Sequence, residues 1–155
     1  MNTEFRVEPA KLTDLDQLVT LERATFNYSC ISRRSFRQVI QSDHNYCWVA
    51  RSENQLAGYA IAFTRRNSKV WRLYSIAVSL NFRGFGVGNL LINHVLDTAK
   101  RQGAEAMSLE VKSDNKTAIH WYQNCGFETI VILPNYYDDG SDGFKMRFTF
   151  YPESL

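Results

Sequence analysis

The run Arg83-Gly84-Phe85-Gly86-Val87-Gly88 constrains what this chain can fold into more than any other stretch. It follows the apolar, β-rich segment Leu73 to Val78. It opens the segment Val87 to Arg101, whose apolar residues Val87, Leu90, Leu91, Val95 and Ala99 are spaced for one helical face. Strand, glycine-rich turn and amphipathic helix therefore follow in order. The first turn of such a helix leaves backbone N–H groups without intrahelical acceptors at the positive end of the helix dipole. Glycine at alternate positions keeps side chains away from those amides, and Arg83 can add a charged donor, so the turn is suited to cradle an anion. Used alone, the same turn can also be a plain connection in which glycine supplies only positive φ. Asn89 stands where the dinucleotide fingerprint requires its third glycine, and no Gly-Lys-Ser/Thr follows to make a P-loop.

Upstream, Phe5 to Pro9 alternates as a first strand ended by proline. Thr13 with Asp16 reads as a capping box, and Leu15, Leu18, Val19 and Phe26 supply the stripe of a first helix. Ser32 or Ser35 caps a second, with Phe36, Val39 and Ile40 inward and Arg33, Arg34 and Arg37 outward. From Tyr46 the period becomes that of strands: Tyr46 to Ala50, a polar turn at Glu53 to Gln55, Leu56 to Phe63, a turn at Arg65 to Ser68, then Val70 to Val78. The basic group Arg65, Arg66, Lys69 and Arg72 reads as a charged hairpin tip, with contact to an acidic substrate or nucleic acid as the alternative.

Beyond the glycine turn, Gly103 stops the helix and Ala104 to Val111 returns to strand character, which makes a right-handed βαβ unit. In that strand Met107, Leu109 and Val111 share one face and Glu110 takes the other. Ser113 or Asp114 caps a further helix that places Asn115, Ala118, Ile119 and Tyr122 on one side and ends at Gly126. Phe127 to Leu133 reads as an apolar strand, residues 134 to 143 as a loop rich in Tyr and Asp, and Phe144 to Tyr151 as the last strand.

Length and composition fit one domain over residues 1–155, with 45% hydrophobic and 22% charged residues. A net charge of +2 gives no ground for a nucleic-acid partner. The opening residues lack a basic segment followed by an apolar one, and no apolar run approaches the roughly 18 residues of a membrane span, so a cytoplasmic chain with no membrane partner is expected. Cys30, Cys47 and Cys125 are widely spaced and read as reduced thiols; a cysteine nucleophile beside His44, His94 or His120 is the weaker alternative. No residue set has metal-ligand spacing, so no metal is expected.

Arg83, Gly86 and Gly88 match the Arg/Gln-x-x-Gly-x-Gly/Ala loop of the GNAT superfamily of N-acyltransferases, and Leu90-Leu91 follow as they do there. A second pattern, Asn-x-x-Ala-x-x-x-Tyr-x-x-x-Gly-Phe, is present as Asn115, Ala118, Tyr122 and Gly126-Phe127. The sequence resembles that superfamily over about residues 45 to 150, and within it the ribosomal-protein-alanine N-acetyltransferase branch. The resemblance implies an α/β GNAT fold, a mixed and mostly antiparallel central sheet of about seven strands flanked by about four helices. It implies acetyl-CoA as co-substrate, with the pantetheine arm pairing to the backbone of Ile76, Ala77 and Val78 and the pyrophosphate held by Arg83, Gly84, Phe85, Gly86, Val87, Gly88 and Asn89.

Acetyl transfer to an amine needs a base for the ammonium proton and an acid for the departing thiolate. Glu110, in the run Leu109-Glu110-Val111-Lys112, resembles the base proposed for enzymes that acetylate protein N-termini; an ion-paired or solvated strand carboxylate is its alternative. Tyr122 is the acid candidate and also a cofactor contact, because a phenol with a pKa near 10 is protonated at neutral pH; a core tyrosine is its alternative. Asn115 either contacts the cofactor arm or caps its helix. Tyr136 and Tyr137, with aspartates beside them, resemble the peptide-gripping hairpin of N-terminal acetyltransferases, and Tyr28 is expected on the opposite wall. Asn27-Tyr28 and Asp142-Gly143 depart from the Pro-Trp and Asp-Ala usual in that branch. The expected activity is transfer of an acetyl group by direct attack in a ternary complex, to a protein α-amine, by a monomer or weak dimer. A small-amine acetyltransferase and a non-catalytic acyl-CoA-binding module are the alternatives.

Overall fold

The computed structural model describes residues 4–26 and 30–151. Among them lie strands β1 (Arg6–Pro9), β2 (Tyr46–Ser52), β3 (Gln55–Phe63), β4 (Val70–Val78), β5 (Ala106–Lys112), β6 (Glu128–Leu133) and β7 (Gly143–Thr149). Four α-helices accompany them: α1 (Leu15–Thr25), α2 (Arg33–Ile40), α3 (Val87–Arg101) and α4 (Lys116–Asn124). The strands form one seven-stranded mixed sheet in the order β1-β2-β3-β4-β5-β7-β6. β4 and β5 pair in parallel, and β1 with β2, β2 with β3, β5 with β7 and β6 with β7 pair antiparallel. The polypeptide divides into two compact units, Met1–Thr64 with Leu73–Thr98, and Arg65–Arg72 with Ala99–Leu155.

In the first unit, Leu15, Leu18, Val19 and Leu21 of α1 and Phe36 and Val39 of α2 bury against Val49, Tyr59 and Ile61. The start of α1 differs from the expected Thr13 cap. A short 3₁₀ turn, Leu12–Asp14, precedes the helix, and Asp14 rather than Asp16 reaches back to accept the Lys11 N–H at 2.8 Å. Asp14 is also taken by Arg51, whose Nη1 and Nη2 each lie 3.0 Å from one carboxylate oxygen while its Nε donates to Glu8 at 2.8 Å. Ser32 caps α2 as expected, accepting the Ser35 N–H. α3 has the predicted bounds, and Val87, Leu91, Ile92, Val95, Leu96 and Ala99 are buried on it. Leu90 is exposed, contrary to its assignment to the inner face, because at about 100° per residue it lies past the edge of the buried stripe.

In the second unit, β5 carries Met107, Leu109 and Val111 against Phe148, Met146 and Phe144 of β7. Phe127 packs against Phe148 with tilted rings and edge to face on Tyr122, which brings α4 to that face. The apolar run on β6 is not buried: β6 is the outer strand, and Ile130, Val131 and Ile132 stay 44%, 44% and 60% exposed. An edge strand has a neighbour on one side only, so its hydrophobicity did not report burial.

Candidate active site

The strand and loop candidates for cofactor binding, residues 76–78 and 83–89, lie in the first unit. β4 is fixed at its end by the Ser79 N–H, which donates to Ala57 of β3 at 2.8 Å. Gly58 sits beside this point because nothing larger fits: an added Cβ would meet the Ala77 carbonyl oxygen at 2.7 Å. Ile76 and Val78 are half-buried and Ala77 is buried. A 3₁₀ turn, Leu80–Phe82, then leads into Arg83, Gly84, Phe85 and Gly86, all exposed.

Gly84 and Gly86 adopt φ of +87° and +78°, with open space where a Cβ would project. The Leu90 N–H donates to Gly86 O at 3.0 Å and begins the helical ladder, so the amides of Val87 and Gly88 lie ahead of it. Two glycines at positive φ beside a helix start leave no Cβ in the way of the N–H groups around them. That geometry fits a pyrophosphate. Asn89, exposed on the first turn, completes the predicted set.

The proton-transfer and acceptor candidates lie in the second unit. Glu110 is half-buried on the face of β5 away from Met107 and Leu109, and its Oε2 accepts from Arg72 Nε at 2.9 Å. Arg72 is therefore an inward partner of Glu110 and not part of a solvated hairpin tip. Two residues before it, β4 is still within the register Val70↔Ala106, and Lys69 pairs loosely with Glu105 at 3.8 Å. No local signal marks Arg72, because its partner is 38 residues away in the sequence.

Tyr122 is half-buried on α4, between Trp121 and Phe127. Burial, reinforced by the Cys125 and Tyr137 charges, pushes its hydroxyl well above the ordinary phenol value, so it holds its proton throughout the neutral range. Asn115, and neither Ser113 nor Asp114, is the N-cap of α4: its Oδ1 accepts the Ala118 N–H at 3.2 Å. The side-chain NH₂ group retains its donor capacity for a ligand.

Tyr136 and Tyr137 pack edge to face, centroids 5.1 Å apart, in the loop between β6 and β7. The pair rests on Gly143, where a Cβ would come within 3.2 Å of both rings. Lys112 of β5 reaches the same loop, donating to Asp139 at 2.7 Å with its ammonium 5.5 Å from the Tyr137 centroid. Two of the loop's aspartates are committed to contacts within it and with Lys112. Asp139 is held by Lys112 and Ser141, which keep its carboxyl far below the usual range, and Asp142 accepts the Asn135 N–H. Tyr28 lies outside the described residues.

Neither Cys47 nor Cys125 is an activated thiol. Cys47 is buried and its thiol is pushed up to about 12, first by burial and then by the Asp14 charge, while Cys125 is raised by burial. No group of three His, Cys, Asp or Glu side chains able to hold a metal occurs among the described residues, and none of their helices is long and apolar enough to cross a membrane.

A mixed sheet with a glycine-rich anion loop between a strand and a helix, followed by a further strand and helix bearing a carboxylate and a phenol, defines an α/β group-transfer protein. The chain belongs to the acetyltransferase (GNAT) family, whose model matches residues 15–127, and is an N-acetyltransferase of that type, a family that takes its acetyl group from acetyl-CoA. The crystal structure of the ribosomal-protein-S18-alanine N-acetyltransferase from Escherichia coli is similar, with a TM-score of 0.84 at 25% identity, covering 98% of this chain and 99% of that one. An N-alpha-acetyltransferase of Sulfurisphaera tokodaii is 29% identical over 156 residues, 92% of each chain. An uncharacterized protein of Mycobacterium leprae is 36% identical over 140 residues, which are 86% of this chain and 38% of that protein.

Proposed function

We propose that this chain acetylates the N-terminal α-amine of a protein by direct attack in a ternary complex. The observation that carries the reading is Glu110. Its Oε2 is fixed by Arg72, and its Oε1 has no protein partner among the described residues. A carboxylate held by one oxygen and open at the other is oriented to take the ammonium proton, directly or through a water.

Tyr122 returns a proton to the departing sulfur, for which its buried, proton-retaining hydroxyl is suited. The backbone of Ile76 to Val78 takes the pantetheine arm, Arg83 and the amides of residues 84–89 take the pyrophosphate, and Asn115 can donate to the arm. Bound acetyl-CoA supplies the activated acyl group, and the new C–N bond replaces its C–S bond. The braced tyrosine loop, with Sulfurisphaera and Escherichia relatives named as an N-alpha-acetyltransferase and a ribosomal-protein-S18-alanine N-acetyltransferase, supports a peptide acceptor held by Tyr136 and Tyr137.

The test is thiol release from acetyl-CoA with peptides beginning in alanine beside a set of small amines. Turnover with the peptides is the expected result. Turnover confined to small amines overturns the acceptor assignment.

A further inference from the structure

Directly paired residues on neighbouring strands share a face of the sheet. In the second unit, the registers Arg72↔Ser108 and Ser108↔Arg147 align Arg72, Ser108 and Arg147 in one row across β4, β5 and β7. Glu110↔Lys145 forms the next row, and Lys112 follows on the same face. Four cations thus surround one carboxylate on these three strands. Arg72 is engaged with Glu110 and Lys112 with Asp139. Lys145 and Arg147 make no ion pair among the described residues, although Glu128 of β6 stands in register with Arg147.

Arg147 carries a sharper signal. Its Nε is buried and has no hydrogen-bond partner among the described residues. A desolvated guanidinium N–H left unpaired is unfavourable, and its planar fork matches a carboxylate bidentately. The side chain is only half-buried, so the rest of the group stays accessible to a ligand.

We propose that Lys145 and Arg147 receive a carboxylate of the acceptor, and that this enzyme prefers N-termini whose second or third residue is Asp or Glu. The inference rests on the N-terminal reading of the acceptor. Lys145 lies one strand from Glu110, roughly 5 Å across, and Arg147 is two residues further along, roughly 7 Å. With its α-amine at Glu110, an extended peptide advances about 3.3 Å per residue. Successive side chains of an extended peptide point to opposite sides, so whichever of the second and third faces the sheet comes within reach of those two cations. The positive face also disfavours a lysine or arginine at the same positions, so it discriminates by repulsion as well as attraction.

The test is a pair of peptides of equal length, Ala-Glu-Glu and Ala-Lys-Lys on one neutral tail, with kcat/KM measured for each at low salt. The wild type is expected to favour the acidic peptide by about tenfold or more, the scale of one charge-assisted contact. Lys145→Glu should reverse the preference and Arg147→Gln should narrow it. Because preference is a ratio within one sample, a partly folded variant lowers both rates and leaves the ratio, and Lys145→Glu carries the test if Arg147→Gln does not fold. Raising salt to about 0.5 M should compress the wild-type ratio. Equal rates on both peptides, or a preference for the basic one, overturn this inference and leave the N-terminal reading standing. Turnover of small amines with neither peptide accepted overturns both.

Discussion

Glu110 and Tyr122 are assigned opposite proton movements, and their surroundings differ accordingly. Glu110 is tied to a guanidinium that keeps a carboxylate in one orientation. Tyr122 sits among aromatic rings that favour a neutral hydroxyl. Replacing Tyr122 by Phe should lower kcat about 10²–10⁴-fold, the range of a general acid, while the Kd of acetyl-CoA changes little. Unchanged turnover would remove Tyr122 from the mechanism. The pH dependence follows from the direction of its shift. An acid whose pKa is raised stays protonated to higher pH, so loss of this proton should not cut kcat below about pH 10, the ordinary phenol value. An alkaline limb near pH 9 that disappears in Tyr122→Phe would contradict the assignment. The sequence marks both as candidates, Tyr122 through a spaced pattern and Glu110 through the local run Leu109-Glu110-Val111-Lys112. Arg72 was not legible, since a run of four basic residues at a turn looks like a solvated tip until the parallel register of β4 and β5 brings it to Glu110.

Among the elements, α3 was read to the residue because a long amphipathic stripe between two glycines leaves little freedom. The start of α1 and the cap of α4 were displaced by one or two residues, for a common reason. Several neighbouring Asp, Asn, Ser and Thr side chains can each cap, and the tertiary partner decides: Arg51 draws Asp14 inward, and the turn before α4 leaves Asn115 over Ala118. Two glycines are each confined by a close neighbour within their own unit. Gly58→Ala would press a Cβ against the Ala77 carbonyl, which no rotamer change can relieve. Because Ala77 is in the segment assigned to the pantetheine arm, the expected result is a weaker acetyl-CoA Kd together with lost stability, read by calorimetric titration and thermal melting. Gly143→Ala would push Tyr136 and Tyr137 outward by a few tenths of an ångström. Its expected signature is a higher KM for the acceptor with the acetyl-CoA Kd retained; an unchanged acceptor KM would separate the tyrosine pair from acceptor binding.

At the scale of the whole molecule, stability is tied to pH from both ends. Burial works to raise Asp14, but the Arg51 guanidinium and the Lys11 N–H outweigh it, so the carboxyl titrates below its ordinary value. A depressed carboxyl contributes stability above its unfolded pKa of about 3.9 and loses it as the pH falls through the folded value. Arg51→Met leaves Asp14, 3% exposed, without its guanidinium and should cost about 3–5 kcal/mol in urea unfolding near neutral pH. On the alkaline side, burial raises Cys47, Tyr59 and Tyr122. The folded chain then holds protons that the unfolded chain releases, so stability should be complete below about pH 8.5 and decline above about pH 10. A urea midpoint that does not fall between pH 8 and pH 10.5 would contradict the burial of these groups.

β5 makes two attachments on one face. Glu110, held by Arg72, and Lys112, tied through Asp139 to the loop that carries Tyr136 and Tyr137, are two residues apart on that strand. Side chains alternate faces at every step along a strand, so inserting or deleting a single residue between them would turn one of the two to the wrong side while leaving the composition almost unchanged. β5 thus acts as a ruler. Across descendants of this sequence, substitutions in the interval should accumulate freely wherever packing allows, and changes of length should be purged.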